Sequence, residues 1–404
     1  MVAREHYFNT IADFIDKPFV KVITGLRRSG KSMLLLMLKE ELIHRGTDPN
    51  YIISINFESF EFADIDSSAK LYQFIKSKIT INGHYYLLLD EIQEIGNWEK
   101  AVNAFRVDFD ADIYITGSNS RLLSSELATY LAGRYIEIPV YTLSFIEYLK
   151  FRHHYSGITN PDIFKEFNLF IRKGGFPVVH TGNYSEEMIY KAVYDIYSSA
   201  ILRDTVQRFK IRDIELLERV VKFVFDNVGN TFSAKSIADF FKSQQRRIDL
   251  NTIYNYLNAL ESAFIIYRIP RFDLKGKEIL KTNEKYFVGD QSLLYSLMGY
   301  KDRIIAGVLE NIIMLELKRR GYNVFVGKLD NKEIDFVGER MGEKIYIQVA
   351  FRLNDEKTIE REFAPLMAIK DNHPKYVLTM EENWHDNIEG IKHFHIAEFL
   401  TSSI

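Results

Sequence analysis

A glycine-rich segment near the amino terminus carries the residue types that bind phosphate. Gly25, Gly30, Lys31 and Ser32 stand in the pattern G-x-x-x-x-G-K-S, after an apolar β-branched run and before a helix-like run. Glycines let a backbone approach phosphate oxygens closely, and the N–H groups at a helix amino end neutralise their charge. In such a loop the lysine binds the β- and γ-phosphates and the serine binds Mg²⁺. The predicted nucleotide-binding residues of this loop are Gly25, Arg28, Ser29, Gly30, Lys31, Ser32 and Met33.

Two acidic residues end the apolar run HYYLLLDEIQE at residues 84–94. Ligands bind at the carboxyl ends of the strands in an open α/β sheet, so carboxylates at this point face the nucleotide. We therefore predict that Asp90 holds Mg²⁺ together with Ser32, and that Glu91 polarises the attacking water. The alternative is a strand that ends in a solvated acidic turn, which is common for two adjacent acids.

Polar residues also follow a later strand-like run, ADIYIT at residues 111–116. Ser118 or Asn119 is predicted to contact the γ-phosphate or its water, and the sequence does not choose between them. A turn that caps the next helix is the alternative for this segment. Arg134 is predicted to stabilise transition-state charge, from the same chain or from a neighbour, unless it is a surface arginine. The predicted catalytic residues are thus Glu91, Lys31 and Arg134.

The composition is that of an ordinary globular protein. The chain has 404 residues, of which 47% are hydrophobic and 26% are charged, and this length predicts two to three domains. The formal net charge of −3 excludes a wholly basic nucleic-acid coat protein. Because there is no cysteine, disulfides and thiolate-bound zinc are excluded. No apolar run has the length of a membrane span and the amino terminus lacks a signal-peptide pattern, so we expect a cytoplasmic protein without membrane partners.

Strand-like and helix-like patterns alternate in the first part of the chain. Apolar runs near residues 22–24, 50–57, 84–90 and 111–116 are separated by helix-like stretches. This order predicts an α/β fold whose parallel sheet is covered by helices on both faces.

Together these segments resemble the prokaryotic AAA-type P-loop ATPases that are usually labelled ATP-binding proteins. In that family the ATPase core is followed by a helical lid, a winged helix and a C-terminal domain of restriction-endonuclease-like fold. The resemblance covers nearly the whole chain, and it implies ATP and Mg²⁺ as cofactors. It implies domains at residues 1–158, 159–229, 230–282 and 283–404, in that order. The matching segments are residues 25–32, 89–93, 116–120, 132–134 and 142–147.

The predicted winged helix is more basic than the rest of the chain. Residues 231–282 contain nine Lys and Arg against five Asp and Glu. A helix predicted over residues 250–263 has an apolar face and an opposite face of asparagines, next to two arginines. Asparagine can bond adenine edges and arginine can bond phosphates, so duplex DNA is a predicted partner. A spacer or protein-binding role is the alternative. The polar residues concerned are Asn251, Asn255, Asn258, Arg246 and Arg247.

The C-terminal domain matches the nuclease pattern of the family only in part. In that pattern a helix acid, a strand aspartate and a Glu-x-Lys on the next strand meet around Mg²⁺. Glu310 and Asp335 match the first two positions, whereas Gln348 and Ala350 replace the last two. An amide brings no negative charge to a hard cation, and an alanine cannot orient water. We therefore predict a nuclease-like fold with a degenerate site that does not cut.

Three functions are compatible with this sequence. The leading one is an ATP-driven switch or motor whose nucleotide state repositions the winged helix and the C-terminal domain. The main alternative is an ATP-licensed DNA nuclease of a DNA-processing or defence system, in which Lys344 or Arg352 would replace the missing lysine. The third is a scaffold that binds ATP and hydrolyses it weakly. The sequence identifies neither a protein partner nor an oligomeric state.

Overall fold

The chain forms two compact units. The structure, a computed structural model, describes residues 2–120, 131, 133–353, 355–382 and 387–402, without the side chains of residues 281 and 282. One unit contains residues 1–140 with 262–264, and the other contains residues 141–261 with 265–404.

The first unit ends earlier than the predicted ATPase domain, which extends to residue 158. Helix α5 (Phe145–Ser156) belongs to the second unit, although its sequence follows the sheet strands directly. The Phe145 ring lies 5.2 Å from the ring of Phe167 and 5.6 Å from that of Phe170, both in the second unit. Burial of these aromatic surfaces explains why α5 joins that unit.

A five-stranded parallel sheet forms the centre of the first unit. Its strands follow the order β2-β3-β4-β1-β5, so β4 lies between β1 and β3. The three central strands are almost wholly buried, which explains why they are continuous apolar runs in the sequence. The predicted parallel α/β sheet is thereby confirmed. The strands are β1 (Val20–Thr24), β2 (Ile52–Asn56), β3 (Tyr85–Asp90), β4 (Ala111–Gly117) and β5 (Tyr135–Pro139).

Helices lie beside this sheet. Leu71, Val102 and Phe105 contribute helix side chains to the apolar core against the sheet. The helix after the glycine-rich loop begins at Lys31, so its amino end lies at the carboxyl end of β1. Among the described residues the helices of this unit are α1 (Glu5–Ala12), α2 (Lys31–His44), α3 (Ser68–Lys78) and α4 (Trp98–Asp108).

The second unit begins with a helical region, as the sequence pattern predicts. Its helices after α5 are α6 (Ile163–Lys173), α7 (Glu186–Ser199) and α8 (Ile214–Asp226), with π-helical residues 200–207 following α7. The break after α6 is stabilised by a buried carboxylate, because the Gly175 N–H donates to Asp290 Oδ2 at 2.7 Å. Next come β6 (Thr231–Phe232), α9 (Ala234–Ser243), α10 (Leu250–Ser262), β7 (Ile266–Asp273) and β8 (Glu278–Val288).

A nine-stranded sheet continues from the β7–β8 hairpin into the C-terminal region. Its order is β13-β14-β12-β11-β10-β9-β7-β8-β6. Strand β7 pairs with β8 on one side and, in parallel, with β9 on the other. The predicted boundary between residues 282 and 283 falls inside β8. The β7–β8 hairpin is joined to the C-terminal strands through β9, because a separate hairpin would leave the backbone N–H and C=O groups of β7 at an open edge.

The remaining elements complete this sheet and cover it. The strands are β9 (Asn323–Leu329), β10 (Lys332–Arg340), β11 (Glu343–Val349), β12 (Lys375–Thr379), β13 (Asn387–Ile388) and β14 (Ile391–His395). The helices are α11 (Gln291–Met298), α12 (Ile305–Arg319), α13 (Glu356–Met367) and α14 (Ile396–Thr401). Within the described ranges, no helix combines the length and the apolar character that a bilayer crossing needs.

Candidate functional site

The glycine-rich loop connects β1 to α2. Gly25 has a φ of +146°, and a Cβ at this position would lie 2.1 Å from the carbonyl oxygen of Val140. Gly30 has a φ of +103° and immediately precedes the first turn of α2. Both positions require glycine, since a side chain would clash at the first and be strained at the second. The resulting bare backbone at a helix amino end is the feature that suits a phosphate group.

The predicted loop residues differ in exposure. Arg28, Ser32 and Met33 are exposed, whereas Ser29 is buried. The backbone oxygen of Ser29 accepts a hydrogen bond of 2.7 Å from Nη1 of Arg4, which precedes α1. The amino-terminal segment therefore stabilises the loop, a role that the amphipathic pattern of that segment did not indicate.

Lys31 lies inside the curve of the loop. Its Nζ donates to the backbone oxygens of Gly25 at 3.0 Å and Leu26 at 3.2 Å. The same nitrogen lies 3.9 Å from Oε1 of Glu91. The ammonium group is thus positioned between the loop carbonyls and the acids at the end of β3.

Asp90 is buried at the end of β3 and accepts hydrogen bonds from the side chains of Thr116 and Asn56. Thr116 Oγ1 donates to its Oδ1, and Asn56 Nδ2 donates to its Oδ2 at 3.1 Å. Burial raises the pKa of Asp90, and the nearby hydroxyl groups of Thr116 and Ser32 oppose that rise because they favour the charged form. The predicted Mg²⁺ ligands Ser32 and Asp90 are therefore brought together.

Glu91 has a backbone conformation that is uncommon for a residue with a side chain. Its φ is +55°, and its N–H donates to Thr116 Oγ1 at 2.9 Å. The Gln93 amide donates to Oε2 of Glu91, so Oε1 is the oxygen nearer to Lys31. Sequence reasoning missed Asn56, Gln93 and Thr116. The one available signal was their position, since each lies at or just beyond the carboxyl end of a strand.

The end of β4 lies between the glycine-rich loop and the acids. This follows from the strand order, in which β4 is flanked by β1 and β3. Ser118 and Asn119 come directly after β4 and are both buried. Their position agrees with the predicted contact to a γ-phosphate, and both remain candidates. The helix predicted to begin near Arg121 falls in residues 121–130, outside the described part of the chain.

The residues present suit a magnesium nucleotide. Gly25 and Gly30 give the loop a backbone without side chains at the amino end of α2, and Lys31 supplies a fixed positive charge. Ser32 and Asp90 provide the oxygen ligands that Mg²⁺ prefers. The arrangement thus has a phosphate cradle, a metal ligand pair and a carboxylate that can accept a proton.

Comparison with known proteins agrees with this geometry. The model of a family described as an AAA domain matches residues 17–149, and that of a domain of unknown function matches residues 164–303. An uncharacterized protein of Haemophilus influenzae is 40% identical over 402 residues, covering 99% of this chain and 98% of the relative. An uncharacterized protein of Methanocaldococcus jannaschii is 36% identical over 365 residues, covering 87% of this chain and 79% of the relative. The chain belongs to this family of AAA-domain proteins.

A solved structure shares the fold. The Walker-type ATPase of Pyrococcus abyssi superposes with a TM-score of 0.51 at 15% identity, covering 74% of this chain and 96% of that one. The AAA-type P-loop fold predicted from the sequence is confirmed, and with it a nucleotide-binding domain. The winged helix and the nuclease-like domain stay predictions.

Arg134 lies away from the other predicted catalytic residues of the AAA domain. Its backbone oxygen accepts from the Val20 N–H at 2.9 Å, which places it at the amino end of β1, and its side chain is exposed. The glycine-rich loop begins at the carboxyl end of the same strand, about 13 Å away for five residues in extended conformation. The prediction that Arg134 acts on the nucleotide of its own chain is therefore not supported. The two remaining predictions for Arg134 are action on the nucleotide of a neighbouring molecule and an ordinary surface position.

The four residues of the predicted degenerate nuclease site occupy neighbouring elements of the second unit. Glu310 is on α12 and Asp335 on β10, and Asp335 faces Gln348 of β11, whose Oε1 accepts from the Asp335 N–H at 3.3 Å. Asp335 Oδ2 in turn accepts from the Val349 N–H at 2.9 Å. Ala350 packs in the apolar cluster of this region and offers no polar group.

A buried lysine that the sequence did not reveal lies among these acids. Lys285 Nζ is 2.9 Å from Glu310 Oε2, 3.0 Å from Glu333 Oε1 and 3.3 Å from Asp335 Oδ1. Burial lowers the pKa of Lys285, but the three carboxylates outweigh it and hold the pKa above its usual value. The two lysine replacements considered from sequence lie elsewhere, since Lys344 Nζ is over the Phe272 ring and the Arg352 guanidinium over the Phe351 ring. Lys285 went unnoticed because it lies on β8, a strand that crosses the predicted boundary at residues 282 and 283, and the predicted nuclease pattern has no position there.

The asparagine face of α10 is present as predicted. Asn251, Asn255 and Asn258 are all exposed. Of the two arginines before α10, Arg247 is exposed and Arg246 Nη1 lies 3.6 Å from Oε1 of Glu215. These positions are compatible with a nucleic-acid surface, and whether DNA binds there stays a prediction.

Proposed function

We propose that this protein is a Mg²⁺-dependent ATPase that acts as a nucleotide-driven switch. The observation that carries the proposal is the meeting of Lys31, Asp90, Glu91 and Thr116 at the carboxyl edge of the parallel sheet. Phosphoryl transfer requires positioned charge more than covalent chemistry, and this edge supplies both signs within a few ångströms. Membership in an AAA-domain family supports the same conclusion.

The residues at this edge take separate roles in the proposed reaction. ATP with Mg²⁺ supplies the γ-phosphoryl group that is transferred to water. Lys31 neutralises phosphate charge, while Ser32 and Asp90 hold the metal. Glu91 accepts the water proton through Oε1, because the Gln93 amide engages Oε2. Thr116 orients both acids through its hydroxyl group.

Calorimetry and steady-state phosphate release test this assignment. We expect the unaltered protein to bind ATP only weakly without Mg²⁺ and to hydrolyse it when Mg²⁺ is present. Lys31→Ala should weaken ATP binding about 10- to 100-fold, a loss of about 1.4 to 2.8 kcal/mol. Lys39→Ala, on the same helix, is the matched control and should bind ATP normally. Absence of ATP binding by the unaltered protein would contradict the proposal.

We further propose that Arg134 acts on the nucleotide of a neighbouring molecule. Its position at the amino edge of the sheet supports this, since it lies about one strand length from the loop of its own chain. Mixing experiments distinguish a site formed by one chain from a site that two neighbouring molecules share. Lys31→Ala and Arg134→Ala proteins, each inactive alone, should regain ATPase activity when mixed, because one supplies an intact loop and the other an intact arginine. No recovery at any ratio would count against a shared site.

In the second unit we propose a helical lid, a winged helix and a nuclease-like domain that does not cut DNA. The uncharged pair Gln348 and Ala350 supports the absence of cutting. Plasmid and single-strand cleavage with Mg²⁺ or Mn²⁺, with and without ATP, should show no nicking. Nicking that disappears in Asp335→Ala would instead favour the ATP-licensed nuclease.

A further inference from the structure

The acidic pocket of the second unit already contains a positive charge. The pocket is formed by Glu310, Glu333 and Asp335, and Lys285 lies in it. The side chain of Lys285 is only 3% exposed, while the Glu310 and Asp335 side chains are 12% and 10% exposed. A buried ammonium group is stable only if its three N–H donors are satisfied, and here three carboxylate oxygens lie within 3.3 Å of it.

We propose that the Lys285 ammonium is the resident cation of the Glu310–Glu333–Asp335 pocket and takes the position that a divalent metal ion would otherwise occupy. The inference rests on the non-cutting C-terminal domain proposed above, and it adds the reason that such a domain binds no metal there. An internal lysine has replaced an exchangeable ion, so the pocket has become part of the folded core of the sheet.

Geometry and charge support this assignment. A divalent ion bound to oxygens of these acids would lie within a few ångströms of Lys285 Nζ, and like charges at such distances repel strongly where water is excluded. Asp335 has little capacity left for a metal, because its Oδ1 faces Lys285 and its Oδ2 accepts from the Val349 N–H. The neighbouring Gln348 brings no charge to attract a second cation. With Lys285 in place, these three acids, like every other group of His, Asp and Glu side chains among the described residues, lack an arrangement suited to a metal ion.

The surroundings of the pocket make the lysine important for the stability of the fold. Burial raises the pKa of both Glu310 and Asp335, which shows that their charged forms are disfavoured without a partner. The charge of a fourth acid, Glu362 of α13, also raises the pKa of Asp335. Glu362 has its own cation, since Arg361 Nη2 lies 2.6 Å from Oε1 of Glu362. Lys285 is therefore the cation that these acids share inside the domain.

Mn²⁺ binding to the nucleotide-free protein tests the proposal, measured by electron paramagnetic resonance and calorimetry. The unaltered protein and Asp335→Asn should bind the same amount of Mn²⁺. Lys285→Met should bind one additional Mn²⁺, because the vacated carboxylates suit that ion, and the gain should disappear in Lys285→Met with Asp335→Asn. Lys332→Met, at an exposed position of β10, is the matched control and should gain no site. This readout involves no DNA, so its outcome is separate from that of the cleavage assay.

Thermal unfolding provides a second measurement. Lys285→Met should lower the melting temperature well below that of Lys332→Met, and adding Asp335→Asn should restore part of the loss, since one unpaired carboxylate is removed. Two results would overturn the proposal: Mn²⁺ binding by the unaltered protein that Asp335→Asn abolishes, or folded Lys285→Met that binds no additional Mn²⁺. Comparing Mn²⁺ binding by the unaltered protein and by Asp335→Asn needs no Lys285 variant, so it tests the proposal even if Lys285→Met does not fold.

Discussion

Two buried lysines of this chain have contrasting partners. Lys31 donates to two uncharged backbone oxygens, and Oε1 of Glu91 lies 3.9 Å from its nitrogen. Lys285 is in contact with three carboxylates at 2.9 to 3.3 Å. Three acids thus neutralise the buried Lys285 charge directly, whereas the contacts described for Lys31 include loop carbonyls beside a helix amino end, a position that suits an incoming anion.

This difference separates a binding site from a structural ion cluster. Residue types alone do not distinguish the two, because each combines a lysine with at least two acids. The distinction lies in the backbone around the lysine. The loop that contains Lys31 includes Gly25 and Gly30, which carry no side chain and have positive φ values, whereas strands and a helix surround Lys285 with side chains. We therefore expect substitutions around Lys31 to affect mainly ATP binding and turnover, and substitution of Lys285 to affect mainly the stability of the fold.

The largest effect should come from the acid next to Lys31. Glu91→Gln should lower the turnover number for ATP about 10²- to 10⁴-fold while leaving ATP affinity nearly unchanged, because only proton transfer from water is lost. Steady-state phosphate release and calorimetry measure the two quantities separately. Glu94→Gln, at an exposed position three residues later, is the control and should keep full activity. Normal ATP hydrolysis by Glu91→Gln would mean that Glu91 is not the catalytic base.

The two lysines should also differ in their contribution to stability. Removing one partner of a buried ion cluster costs about 3 to 5 kcal/mol, so Lys285→Met should lower the free energy of unfolding by about that amount. Lys31→Met should lower it by less, since the loop carbonyls that it contacts carry no formal charge. Denaturant unfolding of both variants, without nucleotide, measures the difference. Equal losses would mean that both lysines are structural.

A smaller effect is expected from Gln93. Its amide is the described donor to Oε2 of Glu91, and losing one hydrogen bond of roughly 1 kcal/mol corresponds to about fivefold in rate. Gln93→Ala should therefore reduce the turnover number about fivefold with little change in KM. Gln93→Glu should reduce it further, because two carboxylates would repel each other. If neither substitution changes turnover, Glu91 is positioned by other contacts.

The weakest expected effect concerns the predicted DNA surface. If phosphates are contacted by Arg246 and Arg247, duplex binding should weaken with salt at a log-log slope of about −0.9 per contact. Replacing both arginines by alanine should make that slope shallower by about two units. Fluorescence anisotropy across a salt series provides the measurement. Binding that does not respond to salt would favour the spacer or protein-binding role for this region.

Much of the nucleotide site could be predicted because its signals are local. The pattern from Gly25 to Ser32 and the acids after an apolar run each occupy a few consecutive residues, and parallel strands bring such segments to one edge. The sequence did not predict the roles of Asn56, Gln93 and Thr116. Asn56 and Thr116 contact Asp90, which is far from them along the chain, and Gln93 contacts Glu91, whose backbone conformation is uncommon. Arg134 directly precedes β5, which places it at the amino edge of a parallel sheet. The sequence does not tell whether a neighbouring molecule brings a nucleotide to that edge.

The sequence by itself determined the residue types that bind phosphate and the alternation that produces a parallel sheet. It also gave Gln348 and Ala350 at the two positions where the predicted nuclease pattern would have a glutamate and a lysine. Only the tertiary structure decided that the β7–β8 hairpin continues into the C-terminal sheet, and therefore that Lys285 reaches Glu310 and Asp335. The physical reason is the range of the interactions. Local backbone geometry follows from neighbouring residues, whereas strand pairing and charge burial depend on segments that meet only after folding.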